Sequence, residues 1–383
     1  MFRTLPIVMS VLALTASLAC GRAGYSGPPP VSYSVEPLWP QPLPAGWILG
    51  SVTGVAVDSR DHVWAVHRGA ASLTARSEMG LATDPKTAET CCEPAPPVLE
   101  FDAGGQLVGN WGGASQGYDW PRSPGGLAVD ADGNIWIAAA GAPAPAAGRG
   151  GRGGARGGGR GGAGGRGGEA PPPPPEDAHV LKFARDGTFL MQIGRAGDVG
   201  TADSQTALNK PANVDVDSSA NEVYVADTGS GRVVVFDAAT GAYKRHWGGH
   251  GEPFQTVTCA SVSADGMVYV CDRAANRIQV FKTDGTFVKE ARIAADTRGS
   301  GAVWDIAFSR DRGQTQLIVA DGQNQTVWLL NRETLEVTGS VGAGGRWPGH
   351  FYGVTAVAVD SAGNLYTGET LEGKRVQKFV AGQ

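Results

Sequence analysis

Arg68 and Arg273 are the residues of this chain whose type and placement most directly suggest chemistry. Arg68 stands in VWAVHRG and Arg273 in VYVCDRA, each just after an apolar segment. Related segments end in Asp227, Asp272 and Asp321, and Arg232, Arg277 and Arg375 recur a few residues further on. That recurring Asp reads as a turn cap and the recurring Arg as a structural bridge. Arg68 and Arg273 are additional to both. A guanidinium presents a planar fork suited to a carboxylate, so two of them above one opening would select an anionic ligand. Other chemistry has less support. The six histidines show no paired metal spacing: His67 lies beside Arg68, His246 and His250 flank a glycine turn, and His350 precedes the last repeat. No Ser-His-Asp or Cys-His arrangement and no phosphate-binding Gly-Lys-Thr loop occurs.

The elements that carry these arginines are repeats. SPGGLAVDADGN (123–134) has relatives at 52–62, 211–221 and 354–364, each an apolar strand, an Asp, a turn and a second strand. The fullest copy, 213–248, adds a third strand over 232–237 and a fourth over 241–247. Six copies begin near residues 52, 124, 211, 257, 302 and 354. Four short antiparallel strands, bounded by Gly, Asp and Asn and repeated six times, predict an all-β, six-bladed β-propeller. The last copy stops after VQKFV (376–380), so SYSVEPLW (32–39) is expected to supply its fourth strand and close the ring. Trp111, Trp120, Trp247 and Phe254 recur at blade junctions and read as wedges between blades.

Two blades are interrupted between their second and third strands. The first insert spans 70–97. The second spans 141–178 and contains GRGGRGGARGGGRGGAGGRGGEAPPPPP, a low-complexity loop that cannot build a core. Both should emerge beside the same mouth of the channel as a rim or lid. The tract lacks interleaved aromatics, and a formal charge of −5 gives no reason to expect a nucleic-acid partner.

The N-terminus, MFRTLPIVMSVLALTASLACGR, reads as a signal peptide over 1–19, followed by a linker over 20–30 and the propeller over 31–383. Ser-Leu-Ala-Cys also fits a lipoprotein processing site at Cys20, so the chain is expected to be exported, as a periplasmic, secreted or lipid-anchored protein. Cys259 and Cys271 flank a turn symmetrically, which suits a cross-strand disulfide in an exported protein. Cys91 and Cys92 are adjacent and have no obvious partner.

The turn-and-strand pattern resembles NHL repeats. More narrowly, GVAVDSRDHVWAVHRG (54–69) and VYVCDRAANRIQVFKTDGTFVKE (268–290) resemble the first and fourth blades of the peptidyl-α-hydroxyglycine α-amidating lyase propeller. The resemblance implies that Arg68 and Arg273 match the family's two active-site arginines, one of which holds the substrate carboxylate. It also implies zinc on three histidines, but the matching positions are Gly125, Thr258 and Thr355. The family's calcium-binding Asp corresponds to Ala356, and its active-site tyrosine has no match in ADTGSGR (226–232). A zinc that polarises water needs about three protein ligands.

The expectation is therefore an NHL propeller without cofactor that binds a carboxylate-bearing small molecule or peptide terminus through Arg68 and Arg273. One alternative is a lyase with zinc and calcium held by a rearranged ligand set. Another is a scaffold for a further envelope protein. A membrane partner is expected only through the lipid anchor.

Overall fold

Alternating apolar residues and tightly turning Asp-Gly or Asx segments fold this chain into six four-stranded antiparallel sheets. A computed structural model describes residues 31–44, 46–74, 78–141 and 175–382. The signal segment, Cys20 and most of the glycine-rich insert lie outside the described residues. Blade one contains Val52–Val57, Val63–His67, Val98–Phe101 and Leu107–Trp111. Blade two contains Pro124–Val129, Ile135–Ala139, His179–Phe183 and Phe189–Gly194. Blade three runs from Pro211–Asp217 through Glu222–Asp227 and Arg232–Asp237 to Tyr243–Trp247, and blade four from Val257–Val262 through Met267–Asp272 and Arg277–Lys282 to Phe287–Arg292. Asp305–Phe308, Gln316–Asp321, Thr326–Asn331 and Val337–Val341 form blade five. Blade six has Val354–Val359, Leu365–Glu369 and Val376–Ala381, and Tyr33–Glu36 adds its outer strand, with Tyr33 opposite Ala381.

Each inner strand packs against the inner strands of both neighbours, and the sixth returns to the first. The ring is closed, so the sheet edges that a free blade would expose are covered. Middle strands are flanked by a blade on either face and are buried throughout, as in Val63–His67 and Ile135–Ala139. Outer strands alternate, with Leu107–Trp111 and Phe287–Arg292 sending every second side chain toward solvent.

The junctions are filled by aromatics. The Trp111 indole donates to the Arg185 carbonyl at 3.1 Å and packs on Phe183 of the next blade. Trp247 packs on Phe281 of blade four, beside buried Phe254. Cys259 and Cys271 are register partners on neighbouring strands and are disulfide-bonded. Cys91 and Cys92, for which the sequence offers no obvious partner, are bonded to each other. A short parallel bridge joins Trp47–Ile48 to Glu93–Pro94 and ties the first insert to the chain that precedes blade one. No helix among the described residues is long and apolar enough to cross a membrane.

Candidate functional site

A recurring bulge builds one mouth of the channel. In five blades the register slips at the start of the inner strand, between Val52 and Gly54, Pro124 and Leu127, Pro211 and Asn213, Val257 and Cys259, and Val354 and Ala356. The extra residue of a bulge is released from the ladder and re-aimed. Thr53, Gly125, Ala212, Thr258 and Thr355 occupy that place, and Trp304 precedes the inner strand of blade five at the equivalent position. None of these six carries an imidazole, thiol or carboxylate.

Gly125 has no space for a side chain. A Cβ there would press into the Ala212 carbonyl oxygen of blade three and come within 3.1 Å of the Ala140 methyl. At Gly126 a Cβ would overlap the Asn213 side-chain amide. The two glycines let blade three close onto blade two. Asn213 then reaches across and donates to Asp305 at 3.0 Å.

The register also places Arg68 and Arg273. His67, Asp227, Asp272 and Glu369 lie opposite the first residue of their inner strands. The next residue is Arg68 in blade one, Thr228 in three, Arg273 in four and Thr370 in six, so the two arginines are three blades apart on the same face. Each is half-buried, and its Nε is buried without a hydrogen-bond partner. Burial pulls both guanidiniums down from their ordinary pKa; at Arg68 the field of Asp177 opposes that shift. Among the described residues neither makes an ion pair. Arg273 lies 4.5 Å over the ring of Trp304, which is held in turn by its indole N–H donating to the Gly301 carbonyl at 2.8 Å. Arg68 lines a cavity of about 310 Å³ between blades one and two, together with Trp120, Arg122 and both ends of the first insert. Arg273 does not line that cavity. The wedge reading of Trp120 is thus half of its role, because its ring both packs on Phe183 and faces the cavity.

His67 is committed to the backbone. Its Nδ1 accepts from the Gly50 and Gly69 N–H groups at 3.1 and 3.0 Å, and its Nε2 donates to the Pro96 carbonyl at 2.9 Å. Only the neutral ring can do both. Burial accordingly pulls it from 6.5 down to about 4. The unfolded chain takes up this proton near 6.5 and the folded chain only near 4, so stability held by neutral His67 is complete above 6.5 and is lost as pH falls toward 4. A shift of this size is worth about 3 kcal/mol. Urea unfolding at pH 7 and pH 4.5 should show a steeper acid loss in the wild type than in His67→Gln; equal losses would remove His67 as the cause.

The recurring acids and arginines are structural. Asp272 accepts from the Gln255 and Thr256 N–H groups at 2.9 and 2.8 Å. Arg277 pairs with Asp272 at 2.9 Å and donates to the Glu252 and Pro253 carbonyls of the incoming connection. His250 stacks on Phe287, and the His246 Nδ1 lies 2.9 Å from the Tyr243 hydroxyl.

The opposite mouth holds a larger cavity, about 590 Å³, lined by the six inner strands and their turns. Two carboxyls that sequence reasoning missed face it. Asp215 accepts from the Val262 N–H of blade four at 2.8 Å, and Asp305 from the Val357 N–H of blade six at 3.0 Å. Burial pushes Asp215 up to about 6 and Asp305 up to about 7, and the Asp215 charge further disfavours ionisation of Asp305. Their signal was a departure from the repeat: Asp215 replaces Ala56, Ala128, Ser261, Ala307 and Ala358 of the other inner strands. Each fastens its own blade to the next, and Asp305 also accepts from Asn213 of blade three, two blades away.

Among the described residues one group, Asp58, His62 and Glu100, brings three metal-capable side chains together. It lies at the turn end of blade one, away from the bulge ring. Arg185 of blade two already fills it, donating to Asp58 at 2.7 Å and to Glu100. A cation would have to displace that guanidinium.

The NHL repeat model matches residues 208–236, which cover the first three strands of blade three. No curated protein matches the chain. One similar solved structure is a catalytically inactive variant of virginiamycin B lyase from Staphylococcus aureus with quinupristin. It is 10% identical, with a TM-score of 0.48, and the match covers 91% of this chain and 89% of that one.

Proposed function

We propose that this chain is an exported propeller that binds a carboxylate-bearing small molecule or peptide terminus at the mouth ringed by the bulge residues, using Arg68 and Arg273. The observation that carries this reading is the pair of half-buried guanidiniums, each with an orphaned Nε and no carboxylate of its own. Burying a cation without a partner is unfavourable, and a ligand anion would supply what the fold withholds. Trp304 supports Arg273 by its face and leaves the guanidinium edge free to donate. The amidating-lyase resemblance suggested the same two residues, while the bulge ring offers zinc no ligand. Binding without zinc chemistry is therefore the reading we favour. Export rests on the N-terminal pattern and accords with a disulfide at Cys259 and Cys271. It is testable by the mass of the mature N-terminus, where an acylated Cys20 would mark a lipoprotein.

The test uses N-acetylglycinate and its neutral amide as probes in calorimetry. The acid should bind and the amide should not. Arg68→Gln and Arg273→Gln should each weaken the acid by about 2 kcal/mol, roughly thirtyfold, as expected for a charge-assisted hydrogen bond. Unchanged affinity in both variants would return the chain to the scaffold class.

A further inference from the structure

The cavity beside Arg68 is unusual in what its walls cannot do. Pro94 and Pro97 of the first insert contribute to the lining, as do Pro121 of the connection into blade two and Pro124 at the start of its inner strand. Proline has no N–H to offer. Several of the remaining backbone donors and acceptors nearby are already engaged. The Gly69 N–H donates to His67, the Ala71 N–H to the Arg68 carbonyl, and the Arg122 N–H to Asp177. The Pro96 and Pro97 carbonyls accept from the His67 side chain and backbone. What is left is apolar surface from prolines, alanines and Trp120, with cationic heads at Arg68 and Arg122 and no acidic side chain in the lining. Asp177, the nearby carboxylate whose field reaches Arg68, is spent on the Arg122 and Ser123 N–H groups.

We propose that this cavity receives a compact apolar monocarboxylate, an aryl- or branched-alkyl-substituted acid. Its head pairs with Arg68 and its body lies against the proline walls and the Trp120 ring. Arg122, exposed at the rim, is a second contact for the head. The proposal rests on the reading that Arg68 is an anion contact, and adds the class of body attached to that anion. At about 310 Å³ the cleft between the two blades suits a body of one ring. An apolar body gains by leaving water, whereas the several hydroxyls of a sugar acid would lose water against walls rich in proline and alanine that return few partners. Discrimination between bodies should exceed about tenfold on that account.

Calorimetry on the intact mature chain with phenylacetate, gluconate and acetate separates the two claims. Phenylacetate should bind at least about tenfold tighter than gluconate. Ala71→Trp, at an exposed position of the lining, should fill the cavity and abolish the advantage of phenylacetate over acetate. Trp120→Ala should weaken phenylacetate and leave acetate unchanged, and serves if the larger side chain at position 71 swings outward. Gluconate binding as well as phenylacetate, or phenylacetate keeping its advantage in both variants, would overturn the cavity proposal while leaving Arg68 as an anion contact. Acetate and phenylacetate both binding undiminished to Arg68→Gln, or neither binding to the wild type, would overturn the anion reading itself and the cavity proposal with it.

Discussion

Placing a histidine at Gly125 should destabilise the protein by about 3 kcal/mol or more and should not create a zinc ligand. The expectation follows from what surrounds the position. The nearest obstacle is the Ala212 carbonyl of blade three, with the Ala140 methyl at 3.1 Å behind it. Neither is the tip of a flexible side chain. Blade three would have to retreat, and the link from Asn213 to Asp305 would be disturbed with it. The other two positions differ. Thr258 and Thr355 are half-buried at the same ring and already carry side chains, the Thr258 hydroxyl donating to the Val303 carbonyl at 3.2 Å. Thr258→His and Thr355→His should therefore fold with small losses, and Gly125→His should not. Urea unfolding gives the stabilities, and elemental analysis of the triple variant gives the metal content. A stable triple variant holding one zinc per chain would refute this account.

The contrast shows what could be read from residues alone. The vacancy of three ligand positions was visible in the sequence, because Gly125, Thr258 and Thr355 sit at matching points of the repeat. That one of them is sealed by a neighbouring blade was not visible, since Gly125 and Ala212 belong to different repeats and meet only after the ring closes. The blades themselves were legible because each strand and turn is local, and the closing strand Tyr33–Glu36 was legible because the last repeat lacked its fourth. Blade five was read as starting near residue 302, whereas its inner strand begins at Asp305, after the bulge position held by Trp304. Trp304 and Arg122 escaped notice for the same reason as Ala212. Trp304 meets Arg273 across a blade junction, and Arg122 lines the Arg68 cavity from the next blade's connection, where no sequence periodicity links the residues. Asp215 and Asp305 could have been found by comparing equivalent inner-strand positions, where their neighbours in the repeat are small or uncharged.

Arg232→Met should cost about 3–5 kcal/mol, the largest loss expected from removing a single charge in this fold. Arg232 is 2% exposed and pairs through Nε with the fully buried Asp227 at 2.8 Å. Its other nitrogens donate to the carbonyls of Ala202 and Ser204 at 2.8 and 2.6 Å and of Ala207 at 3.0 Å. The guanidinium thus pins the connection from blade two to the third strand of blade three, while the Asp227 carboxylate accepts from the Asn209 N–H of that connection at 2.6 Å. Burial pushes Asp227 up even with Arg232 beside it. Without the arginine that carboxyl would rise further, so folding would favour its protonated form. A carboxyl raised above its unfolded value penalises the folded state more as pH climbs, and the variant should recover part of its loss as pH falls toward the ordinary carboxylate range. Asp227→Asn in the Arg232→Met background should restore the charge component at pH 7 but not the three orphaned carbonyls. Full recovery in that double variant would show that the carbonyl contacts contribute nothing. No loss in Arg232→Met would show that the connection is held by packing of Leu208 and its neighbours instead. The same arrangement recurs at Arg277 with Asp272 and at Arg375 with Glu369, whereas Arg68 and Arg273 lack any such acid. Stability should therefore not fall in Arg68→Gln and Arg273→Gln, which separates the arginines that build the ring from the two left free to bind.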